Sequence, residues 1–306
     1  MTGYVEFKET IQKMIQQRFD CTYKVKIQEV IKNNGIVLYG LSILSDSAKV
    51  SPTIYLESHF QSFEDGLKMK TIVDNICQCY QKHSTPNILD VEHFLDFNKI
   101  KSKVVYKIIN ADMNQKLLED VPHILYLDLA IIFYYLFEAN EDGTACVTIH
   151  NAHMKMWAVT TNELLELAKI NTPKLLRFTL SSMEDVLMEL LESSDDKNDL
   201  DVEDILATVS DTNATGMYIL SNISKINGSS SILYPEVLSK FAAKLDCDLY
   251  VLPSSCDEVI LVKAGPNMNR EELDIMVSEV NLTVEAEKIL SNHTYYYDRA
   301  KDELSL

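Results

Sequence analysis

A cysteine at the tip of a tight turn, a run of serines after a glycine, and two histidines three positions apart are the features of this 306-residue chain whose types and spacing could carry chemistry. Cys256 stands in Pro253-Ser254-Ser255-Cys256-Asp257, between two apolar runs that read as a hairpin. A thiol at such a tip can be exposed and free of packing, which makes Cys256 the nucleophile candidate. Its neighbours Asp257 and Glu258 oppose that role, because negative charge raises a thiol pKa and a nucleophile wants it lowered by His or Lys. Ser254 and Ser255 lack the GxSxG elbow that would present a serine nucleophile. Gly228-Ser229-Ser230-Ser231 follows a predicted strand ending near Asn222 and precedes a predicted helix, a place where backbone N–H groups can cradle an anion. Asn222, Gly228 and Ser229 are therefore the ligand-binding candidates, although the lysine of a nucleotide loop is missing and neither GxGxxG nor GxxxxGK[ST] occurs.

His150 and His153 fall at a predicted helix start, where their spacing can bring two imidazoles to one face for a metal. No HExxH pair and no third ligand accompanies them, so hydrogen bonding at the helix end or packing beside Trp157 is the plainer account. Cys77-x-Cys79 is poorer still, since on a helix these side chains point about 200° apart. Acidic residues are so plentiful that no carboxylate dyad stands out. No metal and no cofactor is expected.

These candidates need elements to hold them. Tyr4, Phe7, Ile11, Met14 and Ile15 recur at helical spacing. Thr22–Ile31 and Ile36–Leu44 read as a hairpin about Asn33-Asn34-Gly35, with Pro52–Glu57 as a third strand, and helical spacing returns from Phe60 to Tyr80. Residues 1–84 thus form an N-terminal helix, three-stranded sheet and helix, and a looser stretch with Pro86 and the apolar run Ile88–Phe97 leads to residues 104–306.

That larger region reads as mixed α+β with antiparallel hairpins. Strands are expected at Val104–Ile109, within Ile124–Phe137, and at Thr144–Ile149 beyond a loop at Asn140–Gly143. Thr160-x-x-Glu163 is a capping box for a helix that stops before Pro173, and Ser181-x-x-Glu184 is a second box. A strand at Met217–Leu220 and a helix at Pro235–Leu245 follow. A hairpin pairs Asp248–Leu252 with Glu258–Lys263, a helix capped by Asn269 comes next, and a last strand surrounds Tyr295–Tyr297. Regular strand and helix alternation is missing, so the fold class is α+β and not a doubly wound parallel sheet.

Composition bounds the rest. Hydrophobic residues make up 46% and charged ones 24%, with only 8 Gly and 7 Pro, which describes a folding sequence and not a disordered or collagen-like one. Scattered cysteines and the absence of a signal peptide before Tyr4 lead to the expectation of reduced thiols in a cytosol. Ile124–Phe137 is too short for a bilayer span and contains Asp128, so no membrane segment is expected. The net charge of −18 disfavours direct binding to nucleic acid or anionic lipid. Between Ser181 and Asp211 eleven acidic residues face Lys197 alone, and Ser193–Asp199 reads as an acidic linker.

Five blocks carry a resemblance. They are Asn33-Asn34-Gly35 through Gly40-Leu41; Ser51-Pro52-Thr53-Ile54-Tyr55-Leu56-Glu57; His153-Met154-Lys155-Met156-Trp157 through Asn171-Thr172-Pro173; Tyr218-Ile219-Leu220-Ser221-Asn222 through Ile232-Leu233-Tyr234-Pro235; and Asp248-Leu249-Tyr250-Val251-Leu252-Pro253-Ser254-Ser255. Together they resemble an uncharacterised domain-of-unknown-function family of clostridia and other gut Firmicutes. The resemblance spans nearly the whole chain and implies one family unit in a bacterial cytosolic protein. It brings no assigned activity, cofactor or partner, and the acidic stretch looks like an insertion between matching blocks.

The expectation is a non-enzymatic binding or interaction protein that presents an acidic surface to a basic protein partner. One alternative is an enzyme using the polar loops 222–231 and 254–257. The other is an acidic mimic of DNA that occupies a basic nucleic-acid-binding protein.

Overall fold

The computed structural model describes residues 2–45, 51–83, 91–140, 143–186, 188, 216–266 and 268–306. The fold is α+β, as the hairpin signals predict, and it divides into two compact units, Met1–Ile100 and Lys101–Leu306. The linker expected at Ser193–Asp199, and most of the acidic run that contains it, lie outside the described residues.

In the first unit the helix Thr2–Gln16 turns Phe7, Ile11 and Ile15 inward at i, i+4 spacing. They pack with Ile72, Val73 and Ile76 of the helix Met69–His83 against an antiparallel sheet of β1 (Tyr23–Ile31), β2 (Val37–Ser45) and β3 (Ile54–Tyr55). Asn34 and Gly35 both adopt positive φ in the turn between β1 and β2, as the Asn-Gly signal requires. The third strand is shorter than expected: only Ile54 and Tyr55 pair, and Glu57 already begins a helix. The outer edge of β1 is sealed at its start by helix side chains. Gln16 donates to Tyr23 O and accepts from Val25 N, each at 3.0 Å, and Gln12 donates to Val25 O at 3.0 Å. Two amides thus stand in for part of a neighbouring strand, which protects the edge from pairing with another chain.

The second unit holds two antiparallel sheets. One contains β4 (Val104–Asn110), β5 (His123–Tyr126), β6 (Leu129–Asn140) and β7 (Gly143–Thr148), with β6 pairing all three others. Every residue from Leu129 to Leu136 is buried, so β6 is covered on both faces, which is why its sequence is a continuous apolar run and not an alternation. The other sheet has the order β13-β12-β10-β11-β9-β8, built from β8 (Phe178–Ser182), β9 (Met217–Asn222), β10 (Leu249–Pro253), β11 (Val259–Lys263), β12 (Tyr295–Asp298) and β13 (Glu303–Ser305).

Three local expectations shift. The helix Thr161–Leu175 contains Pro173 instead of ending before it, because the ring falls in the last turn, where few backbone bonds remain to lose. The second capping box slides by one residue: Ser182 Oγ accepts from Asp185 N at 3.0 Å, since β8 runs on through Ser181 and Ser182. Gly228–Leu233 forms a 3-10 turn, and the following helix begins at Val237, after Glu236 with φ 62°.

Candidate functional site

β9 pairs antiparallel with β11, setting Leu220 opposite Val259, so the turn that leaves β9 and the tip of the β10–β11 hairpin emerge side by side. This non-local pairing brings together Asn222, Gly228, Ser229 and Cys256. Ser221 Oγ donates to Asp257 O at 2.7 Å and Ser229 Oγ donates to Cys256 O at 2.6 Å. Asn222 secures its own turn, donating from Nδ2 to Ile226 O at 2.9 Å and accepting from Ser224 N at 3.0 Å. Gly228 sits where a Cβ would lie 2.2 Å from Ser221 Oγ and 2.4 Å from Asp257 O, so the close approach of the two loops demands glycine.

Three of the N–H groups that could cradle an anion, those of Asn227, Ser229 and Ser230, are already engaged. Ser229 N donates to Cys256 O at 3.3 Å and Ser230 N to Asn227 O at 3.3 Å. Asn227, with φ 52°, donates its N–H to Asp257 Oδ1 at 2.9 Å. The chain thereby supplies a carboxylate of its own where an external anion would bind. Lys288 approaches the second oxygen of Asp257 at 3.3 Å, and Lys288 O accepts from Cys256 N at 2.8 Å, which anchors the tip to a third segment. The ion pair and its carboxylate hold Lys288 above the usual lysine range.

Cys256 meets the opposite of an activating field. Burial first, then the Asp257 carboxylate, pushes its thiol up to about 12, and Lys107 and Lys288 offset this only in part. Thiolate, not thiol, is the nucleophile, so this environment opposes nucleophilic use of the side chain near neutral pH. The serine run also acts as a clamp: Ser230 Oγ accepts the buried N–H of Ile108 on β4 at 3.2 Å, and Ser231 Oγ donates to Ser221 O at 3.0 Å. Along the same edge of β4, Thr172 Oγ1 accepts from Tyr106 N at 3.0 Å and Asn171 Nδ2 donates to Val104 O at 2.9 Å. The Asn171-Thr172 pair and the serine turn together satisfy a strand edge that, among the described residues, has no neighbouring strand at these positions.

The histidines lie elsewhere in the unit. His150 Nδ1 is 2.7 Å from Asp120 Oδ2, and His153 Nδ1 accepts the His150 N–H at 3.1 Å, closing the start of the helix Asn151–Trp157. Among the described residues no group of three or more His, Cys, Asp or Glu could hold a metal ion. Cys77 and Cys79 belong to the first unit, on the helix Met69–His83, where burial raises the Cys77 thiol.

Sequence reasoning missed a second polar junction. Asp128, in the turn between β5 and β6, accepts from Ser291 Oγ at 2.5 Å and from the Tyr295 hydroxyl at 2.7 Å, while Asn110 Nδ2 donates to Leu290 O at 3.1 Å. Burial, and then the Asp128 charge, drives the Tyr295 hydroxyl far above its ordinary range. The one available signal was Asp128 itself, a carboxylate inside an apolar run.

No curated protein and no solved structure matches the chain. The model of the family of unknown function DUF5688 matches residues 4–299, nearly the whole chain, and the chain therefore belongs to that family.

Proposed function

We propose that this protein is a non-enzymatic binding or interaction protein whose acidic surface meets a basic protein partner. The observation that supports this reading is the use made of the polar loops. Ser221, Ser229, Ser230, Asn227 and Asp257, the residues a reaction centre would have drawn on, are bonded to one another and to β4, and the Cys256 thiol is kept protonated among them. Loops that fasten two sheets together leave recognition to the outer surfaces. The net charge of −18 favours partners rich in Lys and Arg and speeds their encounter. The resemblance supports a bacterial cytosolic setting.

Partner capture from the source organism, with the wild type beside Ser229→Ala and Cys256→Ala, tests the reading. Both folded variants should retain the same stoichiometric partner, released by salt. A metabolite turned over by the wild type and left untouched by either folded variant would establish the enzyme reading instead.

A further inference from the structure

The helix Arg270–Asn281 packs on the six-stranded sheet through Leu273 and Val277, which meet Leu252 of β10 and Val262 of β11. The surface left outside that contact, from the far side of the helix round to the flank beside Leu273, is not the uniformly polar face that such a helix usually turns outward. Ile275, Met276, Val280 and, at the helix end, Leu282 are exposed, at 59%, 46%, 46% and 86%. Ile275 and Leu282 share one row at i, i+7, and Met276 and Val280 share another at i, i+4. Between these two apolar rows runs a third, made of Glu272 and Glu279. Scattered apolar residues on a surface mean little, but three ordered rows on one helix make a patch.

Helix stability accounts for only part of the acidic row. Glu272 lies in the first turn, where a carboxylate suits the helix dipole, but Glu279 lies at the other end, where the dipole opposes it and no basic residue occupies the last turn. No Lys or Arg stands three or four positions from either glutamate, and Arg270, two positions before Glu272, projects from the other side of the helix, so neither glutamate has a cation at pairing distance along its own helix.

We infer that the exposed face of the helix Arg270–Asn281 is a docking surface for a basic amphipathic segment of a partner protein, whose apolar side chains cover Ile275, Met276, Val280 and Leu282 while its Lys or Arg side chains meet Glu272 and Glu279. This rests on the interaction reading above and names the surface and the partner chemistry for it. Charge selects this occupant over two others. A second copy docked face to face would set the two glutamate rows against each other, because a two-fold contact repeats the same patch on both sides. An anionic membrane would repel them.

The probe is a fluorescently labelled amphipathic helix of Leu and Lys, with a scrambled peptide of the same composition that lacks an apolar face, titrated against the full chain at low and at high salt. The wild type should prefer the amphipathic peptide and lose affinity with salt. The Ile275→Ser/Leu282→Ser variant should weaken binding roughly tenfold. Glu279→Lys should weaken it by about fivefold while raising the melting temperature, a split that a purely structural glutamate does not produce. Glu9→Lys, exposed in the first unit, should leave the affinity unchanged and so excludes general charge attraction.

Equal affinity in the wild type and both helix variants overturns the assignment. So does a wild-type dimer that Ile275→Ser/Leu282→Ser dissociates, since the occupant is then a second copy, or binding to neutral lipid vesicles that the same variant abolishes. Peptide binding that survives in every helix variant removes this face and leaves the interaction reading standing. Turnover of a metabolite that Ser229→Ala abolishes removes that reading on separate grounds.

Discussion

Ser230 and Ile108, 122 positions apart in the chain, are joined by a hydrogen bond in which the serine hydroxyl accepts the buried N–H of β4 at 3.2 Å. Thr172 serves Tyr106 in the same way at 3.0 Å. Removing either hydroxyl strands a buried N–H, at a cost of about 1–3 kcal/mol. Ser230→Ala and Thr172→Val should each lower the urea midpoint accordingly, and Thr172→Ser, which keeps the acceptor, should recover most of the loss. Stability unchanged in both deletions would mean that these bonds do not seal the β4 edge.

Cys256 and Cys21 should differ sharply in reactivity. Cys21 is exposed, whereas Cys256 is held up to about 12 by burial and the Asp257 charge. Alkylation by iodoacetamide at mildly alkaline pH, followed by peptide mass spectrometry, should mark Cys21 quickly and Cys256 only at the rate at which the native loops open. Rapid labelling of Cys256 in the native state would show an accessible thiolate and contradict the described environment.

His153 links stability to pH. Its Nδ1 accepts the His150 N–H, and burial, then the neighbouring His150, holds its pKa below the ordinary range, with Asp120 acting the other way. His59 in the first unit is also held low, by burial. Each therefore takes up a proton more readily when the chain unfolds. Their stability contribution is complete above the unfolded pKa of about 6.5 and is lost as the pH falls through that value toward the lowered native pKa. Urea titrations across this window should show stability falling with pH, less steeply in His153→Gln. The fluorescence of Trp157, the single tryptophan, whose ring centroid lies 5.5 Å from that of His153, should follow the same titration. A flat profile would contradict this account.

Tyr106 and Tyr234 should respond in opposite ways to loss of the hydroxyl, although their rings lie 6.3 Å apart. The Tyr234 hydroxyl donates to Leu176 O at 2.8 Å, whereas the buried Tyr106 hydroxyl has no hydrogen-bond partner among the described residues. Tyr234→Phe should cost about 1 kcal/mol and leave a carbonyl unsatisfied, while Tyr106→Phe should be neutral or stabilising. Calorimetry that finds Tyr106→Phe the more damaging of the two would show that its hydroxyl is satisfied after all.

Local chemistry made much of the fold legible. Asn34 and Gly35 turn β1 into β2 through positive φ, and Thr160 and Glu163 form the reciprocal box read from their spacing, with Glu163 N bonding Thr160 Oγ1 at 3.3 Å and Thr160 N bonding Glu163 Oε2 at 2.7 Å. The hairpin of β10 and β11 follows equally from two apolar runs around a polar tip. What stayed hidden was non-local. Nothing in the neighbourhood of Met217 says that β9 will lie beside β11, yet that pairing alone brings Asn222, Gly228 and Ser229 to Cys256. The structure brings those candidates together and bonds them to one another, which local sequence does not reveal, because a serine or asparagine that closes a junction has the same local sequence as one that waits for a ligand. Asp257 was legible as a brake on Cys256 but not as the acceptor for Asn227.

The most direct test of the central claim is amide hydrogen exchange of the intact chain, read at Ile108, Asn227, Ser229 and Ser230. Loops that act as a structural junction should hold these amides to the same slow exchange as the paired residues of β9 and β11, opening only when the second unit unfolds. Exchange orders of magnitude faster at Asn227, Ser229 and Ser230 than in those strands would mean that the loops open on their own, as a ligand site does, and would contradict the claim that they are spent on holding the fold.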